Sequence, residues 1–290
     1  MDIGFAGVGR MGRHFALHLA RAGHRVIAYD PVVLADDELE SAGITLIHDA
    51  AAIAATSVSI SMLPDAASAR RLLEGAEGLF AAAAPGHRHV LMGTMGVDVV
   101  RELAVDADRH GVRLADAPVS GSVAAARART LTTMVGATPE LFEELRPLLA
   151  EFTRTQVHVG PVGSGNVVKL AVNVVVGAVN ESVAEALLLA TKAGVDRGLF
   201  YNVLQAGAGG GTYVDYKKDA FLAAEEPPVD APVTLIHKDL TLAGELAAQL
   251  GIRLPGAAAN AAVLAEAIAR GHGGVDLCRI GMALEAEPTP

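Results

Sequence analysis

Tryptophan is absent from the 290 residues, and aromatic residues make up only 4%. A core must then be filled by alanine, valine and leucine, which suits helices packed closely through small side chains. Cysteine occurs once, at Cys278, so no intrachain disulfide can form. That fits a reducing compartment, and without a His or Asp motif beside it Cys278 is not expected to be a nucleophile. A basic excess is also missing. With 23 Lys and Arg against 33 Asp and Glu, the net charge is −10, which argues against a nucleic-acid surface. The start, MDIGFAG, meets glycine and charge too soon for a signal peptide. Long apolar runs are interrupted, as at Lys169, Asn173, Asn180, Glu181 and Glu185, which argues against a membrane span. These absences predict a soluble, cytoplasmic protein that acts on small molecules, with neither nucleic acid nor membrane as partner.

Other signals are incomplete. His14 and His18 share a spacing that can bind zinc, but no third ligand lies near in sequence, so no metal is expected. Gly207–Gly211 lacks the Lys-Ser/Thr of a phosphate loop and is expected to break a helix. His87 and His89 bracket a strand start and are expected in solvent. Lys217 and Lys218 are expected on a solvated face. The tail Glu285–Pro290 is expected to fray.

What is present begins at the N-terminus. Asp2–Ala6 reads as a strand and leads into Gly7-Val8-Gly9-Arg10-Met11-Gly12, a G-x-G-x-x-G turn. A helical pattern follows through Ala20, and a second strand, Arg25–Tyr29, ends at Asp30. In such a βαβ unit the first glycine permits a tight turn. The second admits a pyrophosphate, the third lets the helix pack, and the helix N-terminus attracts phosphate. The first domain is therefore read as a dinucleotide-binding, Rossmann-type unit. A carboxylate at Asp30 accepts bonds from a ribose 2′-hydroxyl and repels a 2′-phosphate, and Pro31–Leu34 contain no Arg or Lys. NAD is expected over NADP. The competing reading is that Asp30 opens the turn before Pro31.

Further strands are predicted at Ser57–Leu63, His89–Gly93, Val112–Val119, Leu131–Val135 and Gln156–Val159, with helices between them. This pattern makes a doubly wound parallel sheet, whose ligands lie beyond the C-terminal strand ends. After Val159 only helices are predicted, at Gly163–Gly194, Arg197–Leu204, Val214–Ala224, Val233–Leu250 and Ala257–Arg270. The fold class is α/β, a Rossmann-type sheet at 1–161 followed by an all-α domain at 162–290.

The long helix is apolar enough that most of its circumference should be buried. One stripe differs: Asn166, Lys169, Asn173, Gly177 and Asn180 recur at steps of three or four and share a face. Buried amides and a lysine need polar partners. The competing reading is that Lys169 snorkels while the amides bond neighbouring helices.

Four stretches together resemble the β-hydroxyacid dehydrogenase family, especially its 3-hydroxyisobutyrate dehydrogenase branch. They are Gly7–Gly12; Asp116-Ala117-Pro118-Val119-Ser120-Gly121-Ser122; Gly163–Asn173; and His237-Lys238-Asp239-Leu240. Ser61-Met62-Leu63-Pro64 is similar to a further family segment. The resemblance implies that Lys169 is the catalytic lysine and that Asn173 helps hold the substrate. It implies that Ser120, Gly121 and Ser122 bind the substrate carboxylate. Thr94 and Lys238 match residues near the nicotinamide, and Leu63, Pro64 and Ser68 match residues flanking the dinucleotide. It also implies a homo-oligomer, dimer or tetramer, through the helical domain.

The chemistry agrees with this assignment. Oxidising a hydroxy acid needs a proton acceptor, and a lysine serves only when neutral. Its ordinary pKa of about 10.4 must therefore fall through desolvation or nearby positive charge. In reduction the same amine returns the proton. Three departures from the family, Ser122 for glycine, Val172 for asparagine and Leu91-Met92-Gly93 before Thr94, are expected near the pocket and to favour a larger or less polar 3-hydroxy acid. An imine reductase and a non-catalytic dinucleotide-binding protein are the competing functions, and Lys169 argues against both.

Overall fold

The structure is a computed structural model and describes residues 1–33 and 35–284. The tail Glu285–Pro290 lies outside the described residues. The chain divides into two compact units, Met1–Lys169 and Leu170–Pro290.

The first unit is built on one sheet. Its strands are β1 (Asp2–Ala6), β2 (Arg25–Tyr29), β3 (Thr45–Ile47), β4 (Val58–Ser61), β5 (Arg88–Leu91), β6 (Arg113–Asp116), β7 (Val119–Ser120), β8 (Thr132–Gly136) and β9 (Thr155–Gly160). Its helices are α1 (Gly12–Arg21), α2 (Asp37–Ser41), α3 (Ala66–Leu73), α4 (Leu79–Ala82), α5 (Val97–Arg109), α6 (Val123–Arg127) and α7 (Pro139–Ala150). Strand order is β3-β2-β1-β4-β5-β6-β8-β7, with β9 beside β8. The run from β3 to β6 is parallel.

The far side of the sheet departs from the parallel expectation, because β8 runs antiparallel to both β6 and β7. The predicted strand Val112–Val119 is two strands. It breaks at Ala117-Pro118, where proline has no N–H for a ladder. The short elements β3, α2 and α6 carry too few residues to show a period and went unpredicted. Two apolar clusters cover the sheet. One gathers Phe5, Phe15, Leu145 and Phe152, with Phe15 stacked on Phe152 at 4.9 Å. The other gathers Leu72, Phe80, Leu91 and Leu103.

His87 and His89 are not in solvent. Both are buried, because β5 is a central strand covered on both sides. The Ser59 hydroxyl lies 2.7 Å from His87 Nε2 and 2.7 Å from His89 Nδ1, and the Ser61 hydroxyl is 2.9 Å from His89 Nε2. This row satisfies the polar atoms of two histidines inside an apolar layer. Burial drives the His89 pKa down to about 3, so the ring is neutral.

Helix α8 (Ser164–Lys192) crosses the boundary between the units. The second unit continues with α9 (Arg197–Ala206), α10 (Thr212–Leu222), α11 (Val233–Gln249), α12 (Pro255–Ala269) and α13 (Gly281–Leu284). Gly207–Gly211 separates α9 from α10. By length and hydropathy alone α8 would reach across a bilayer, yet three of its asparagines are buried and bonded to protein groups. Asn173 donates to Asp239, and Asn180 donates to the Leu277 carbonyl while accepting from the Tyr213 hydroxyl. Asn166, nearer the start, is held in the first unit. The opposite expectation, a mostly buried circumference, fails. Ala171, Val175, Ala178, Ser182 and Leu189 are exposed at helical spacing, with Val175 61% and Leu189 74% accessible.

Lys217 also overturns its expectation. It is buried, 3.2 Å from both carboxylate oxygens of Asp276 and 3.3 Å from Asp230. A one-residue step along α10 separates it from Lys218, which is exposed and donates to Asn202. Composition alone could not tell the two lysines apart.

Candidate active site

The glycine turn is shaped by close approach. Gly7 has φ +88°, its N–H donates to the Tyr29 carbonyl at 2.8 Å, and a Cβ there would strike the Met62 carbonyl. A Cβ on Gly12 would collide with the Gly7 carbonyl, so α1 starts hard against the turn. Nothing lies within 4 Å of the Cβ position at Gly9. Met11, at the N-cap of α1, makes no side-chain cap. The turn is thus packed below, open above Gly9, and presents helix N–H groups outward, which fits a dinucleotide pyrophosphate.

Asp30 belongs to the same construction. Its Oδ2 accepts from the Val8 N–H at 3.0 Å, and its Oδ1 accepts from Val32 and Val33 at 2.9 and 3.1 Å. The carboxylate is fixed against the turn while also closing the bend at Pro31, so the two readings of Asp30 are compatible. Arg10, Arg13 and Val33 line, with Gly9, a groove of about 650 Å³. Farther along the strand ends, Gly93 packs on the Leu63 carbonyl. Pro64 is exposed. Ser68 is engaged at the start of α3: its N–H donates to Asp65 at 2.7 Å and its hydroxyl accepts from Arg71 at 2.9 Å.

The segment carrying Lys169 is fastened at its beginning. Asp116, at the end of β6, is fully buried. Its Oδ1 accepts from the Gly163 N–H at 2.7 Å, and its Oδ2 accepts from the Asn166 N–H at 2.7 Å and the Asn166 side chain at 3.0 Å. Asn166 Oδ1 in turn accepts from the Met95 N–H at 3.0 Å. A Cβ on Gly165 would press on the Met134 and Asp116 carbonyls. One knot therefore joins the residue after Thr94, the end of β6 and the first turn of α8, and Lys169 follows Asn166 by three positions. Burial raises the Asp116 pKa and outweighs the N–H groups of Gly163 and Asn166, which lower it.

The Ser120–Ser122 loop turns at Gly121, where φ is +130° and a Cβ would meet Leu131 at 2.6 Å. The Ser122 hydroxyl caps α6, accepting from the Ala125 N–H at 3.2 Å. It is committed locally, which corrects the expectation that it intrudes on the pocket. Leu91 and Met92 are fully buried in the core, which corrects their expected place near the pocket.

In the second unit, Asp239 joins two predicted residues. It accepts from Asn173 Nδ2 at 2.5 Å and lies 3.0 Å from Lys238 Nζ. Asp116, Asn166 and Asp239 were not singled out from sequence for these contacts. The available signal was an acid at the end of an apolar strand and an acid directly after Lys238. His14 and His18 bind no metal: His18 Nε2 sits 3.1 Å from the Ala126 carbonyl, and the described residues hold no group of three or more metal-ligating side chains.

An α/β unit with this turn, followed by helices, defines a pyridine-nucleotide oxidoreductase class. Two family models match the chain. One, described as the NAD binding domain of 6-phosphogluconate dehydrogenase, covers residues 2–160. The other, described as NAD-binding of NADP-dependent 3-hydroxyisobutyrate dehydrogenase, covers residues 163–282. Similar proteins include 2-(hydroxymethyl)glutarate dehydrogenase of Eubacterium barkeri, 30% identical over 97% of this chain and 93% of that protein. Another is 2-hydroxy-3-oxopropionate reductase of Escherichia coli, 32% identical over 98% and 97%. A solved structure of Mycobacterium tuberculosis 3-hydroxyisobutyrate dehydrogenase with L-serine superposes with a TM-score of 0.86 at 29% identity, covering 98% and 99%. The chain belongs to the 3-hydroxyisobutyrate dehydrogenase-like family of β-hydroxyacid dehydrogenases. Its domains are of the NAD(P)-binding kind, and hydroxy acid oxidoreduction is the reaction class its relatives support.

Proposed function

We propose that the protein interconverts a 3-hydroxy acid and its semialdehyde or keto form with NAD, using Lys169 as general acid and base. The observation that carries this reading is the Asp116–Asn166 knot. It fixes the first turn of α8 to the strand ends, and so fixes the backbone from which Lys169 projects. A proton-transfer group must be held to within a few tenths of an ångström, and a rigid helix anchored by buried bonds supplies that better than a loop.

When bound, the nicotinamide ring accepts or returns the hydride. The chain's own residues do the rest. Lys169, in its neutral form, takes the hydroxyl proton during oxidation, and as an ammonium it gives a proton to the carbonyl oxygen during reduction. The Ser120-Gly121 segment offers N–H groups and a hydroxyl to the substrate carboxylate. Asn173 and Lys238, held by Asp239, complete the polar set.

The names of the relatives narrow the substrate class. 2-(Hydroxymethyl)glutarate, 2-hydroxy-3-oxopropionate, 3-hydroxyisobutyrate and L-serine all carry a carboxylate two bonds from a CH2OH or CHO carbon. They differ in what hangs on the carbon between. We take the shared part as the substrate core here and leave the middle substituent to the pocket. Asp30, pinned beside Val8, supports NAD over NADP. The exposed stripe Ala171–Leu189 on α8 supports a homo-oligomer through the helical unit.

The experiment is NADH formation with a panel of 3-hydroxy acids varied at the middle carbon, run with NAD and with NADP. Turnover of at least one primary 3-hydroxy acid, faster with NAD, is expected. Turnover of cyclic imines alone would replace this reading with imine reduction. Tight NAD binding with no turnover on either class would favour a binding protein.

A further inference from the structure

The groove beside the glycine turn holds two arginines, yet one of them is occupied. Arg13 Nη2 lies 2.9 Å from an Asp36 oxygen and 2.9 Å from a Glu38 oxygen. Asp36 is itself placed by its role as N-cap of α2, where its side chain accepts from the Glu38 and Leu39 N–H groups at 3.1 Å. Arg13 and Glu38 line the same groove as Gly9, Arg10 and Val33. Asp30 closes the set from the end of β2. Two cations thus stand against three carboxylates where the adenosine end of a dinucleotide would lie. Asp30 alone was the expected source of cofactor preference, and the residues after it contain no cation. The structure adds that a cation is close by and already engaged.

We propose that Asp36 and Glu38 are specificity-determining residues: by holding Arg13 they deny it to a 2′-phosphate, so the groove favours an unphosphorylated ribose. This rests on the NAD reading above. A guanidinium bonded to two carboxylates has its donors committed, and it cannot take a phosphate without leaving both acids unpaired beside that phosphate's charge. Releasing Arg13 would convert a repelling rim into a phosphate clamp made of Arg10 and Arg13.

The test is binding calorimetry with ADP and adenosine 2′,5′-bisphosphate at low ionic strength, on wild type, Asp36→Asn/Glu38→Gln, Arg13→Ala and the triple variant. Asparagine keeps the cap on α2, so the double variant removes charge without unseating the helix. The double variant is expected to gain about tenfold in affinity for the bisphosphate relative to ADP. Arg13→Ala alone should leave the ratio nearly unchanged, and in the triple variant the gain should vanish. No gain in the double variant, or a gain that survives Arg13→Ala, would overturn the proposal. The NAD reading fails on a different result, namely wild-type protein binding the bisphosphate more tightly than ADP.

Discussion

Asp116 and Asp276 are both fully buried, one in each unit, and their carboxyl groups are driven in opposite directions. Burial pushes both pKa values up. At Asp116 the opposing partners are N–H groups of Gly163 and Asn166, and burial wins. At Asp276 the Lys217 ammonium, with N–H groups of Asp230 and Cys278, brings the carboxyl below its ordinary value despite burial. Amide donors satisfy a carboxylate's lone pairs without cancelling the cost of desolvating its charge, whereas a buried cation does both. Asp276 therefore staples the helical unit as a charged pair. Asp116 holds the start of α8 as a costly anion, a cost tolerated where backbone must be fixed beside the reacting groups.

The comparison is most easily broken at Lys217. Lys217→Met leaves Asp276 buried without its cation and should cost about 3–5 kcal/mol in urea unfolding. Adding Asp276→Asn should recover a part of that loss, because the second change removes the stranded charge. Asp116→Asn is gentler, about 1–3 kcal/mol, since asparagine turns one acceptor into a donor facing N–H groups. Its larger effect should be on kcat for hydroxy acid oxidation, with KM for NAD little changed, because it loosens the Lys169 helix and not the glycine turn.

Acid separates the two aspartates by sign. Asp276, with its pKa lowered, contributes stability above the unfolded value of about 3.9, and this is lost as pH falls through the folded value. Asp116, with its pKa raised, costs stability above its folded value, and that cost fades as pH falls from there towards about 3.9. Asp116→Asn should therefore abolish this relief on mild acidification, and a flat difference from wild type across that range would contradict the assignment.

His89 extends the rule to a base without an ionic partner. Its pKa of about 3 means that the folded state binds its proton far more weakly than the unfolded chain. Stability is complete above pH 6.5 and falls on acidification from there down to about pH 3. Between pH 6.5 and 5 wild type should lose about 2 kcal/mol more than His89→Gln in denaturant titrations. His87, also lowered by burial, acts in the same direction.

Features written in adjacent residues were legible in the sequence. Gly7–Gly12 and Asp30 lie on one βαβ unit, and their packing follows from the missing Cβ atoms and the strand end. The stripe on the long helix was legible too, because helical period places Asn166, Asn173 and Asn180 on one side whatever surrounds them. Their partners were not legible. Asp116 meets Asn166 across 50 positions, Asp239 meets Asn173 across 66, and Asp276 meets Lys217 across 59. The pairing depends on which strand and helix ends the fold brings together. The same cause buried His87, His89 and Lys217 against expectation, since residue type alone does not reveal a serine or aspartate opposite. It also hid Arg13, an ordinary helix-surface arginine until α2 is placed beside it.

The measurement that tests the central claim most directly is the turnover of Lys169→Ala on the best hydroxy acid, with the NAD dissociation constant measured on the same protein. Loss of a general base should lower kcat by about 10²–10⁴-fold while NAD binds as in wild type. A variant that binds NAD normally and turns over within a few-fold of wild type would contradict the assignment of Lys169.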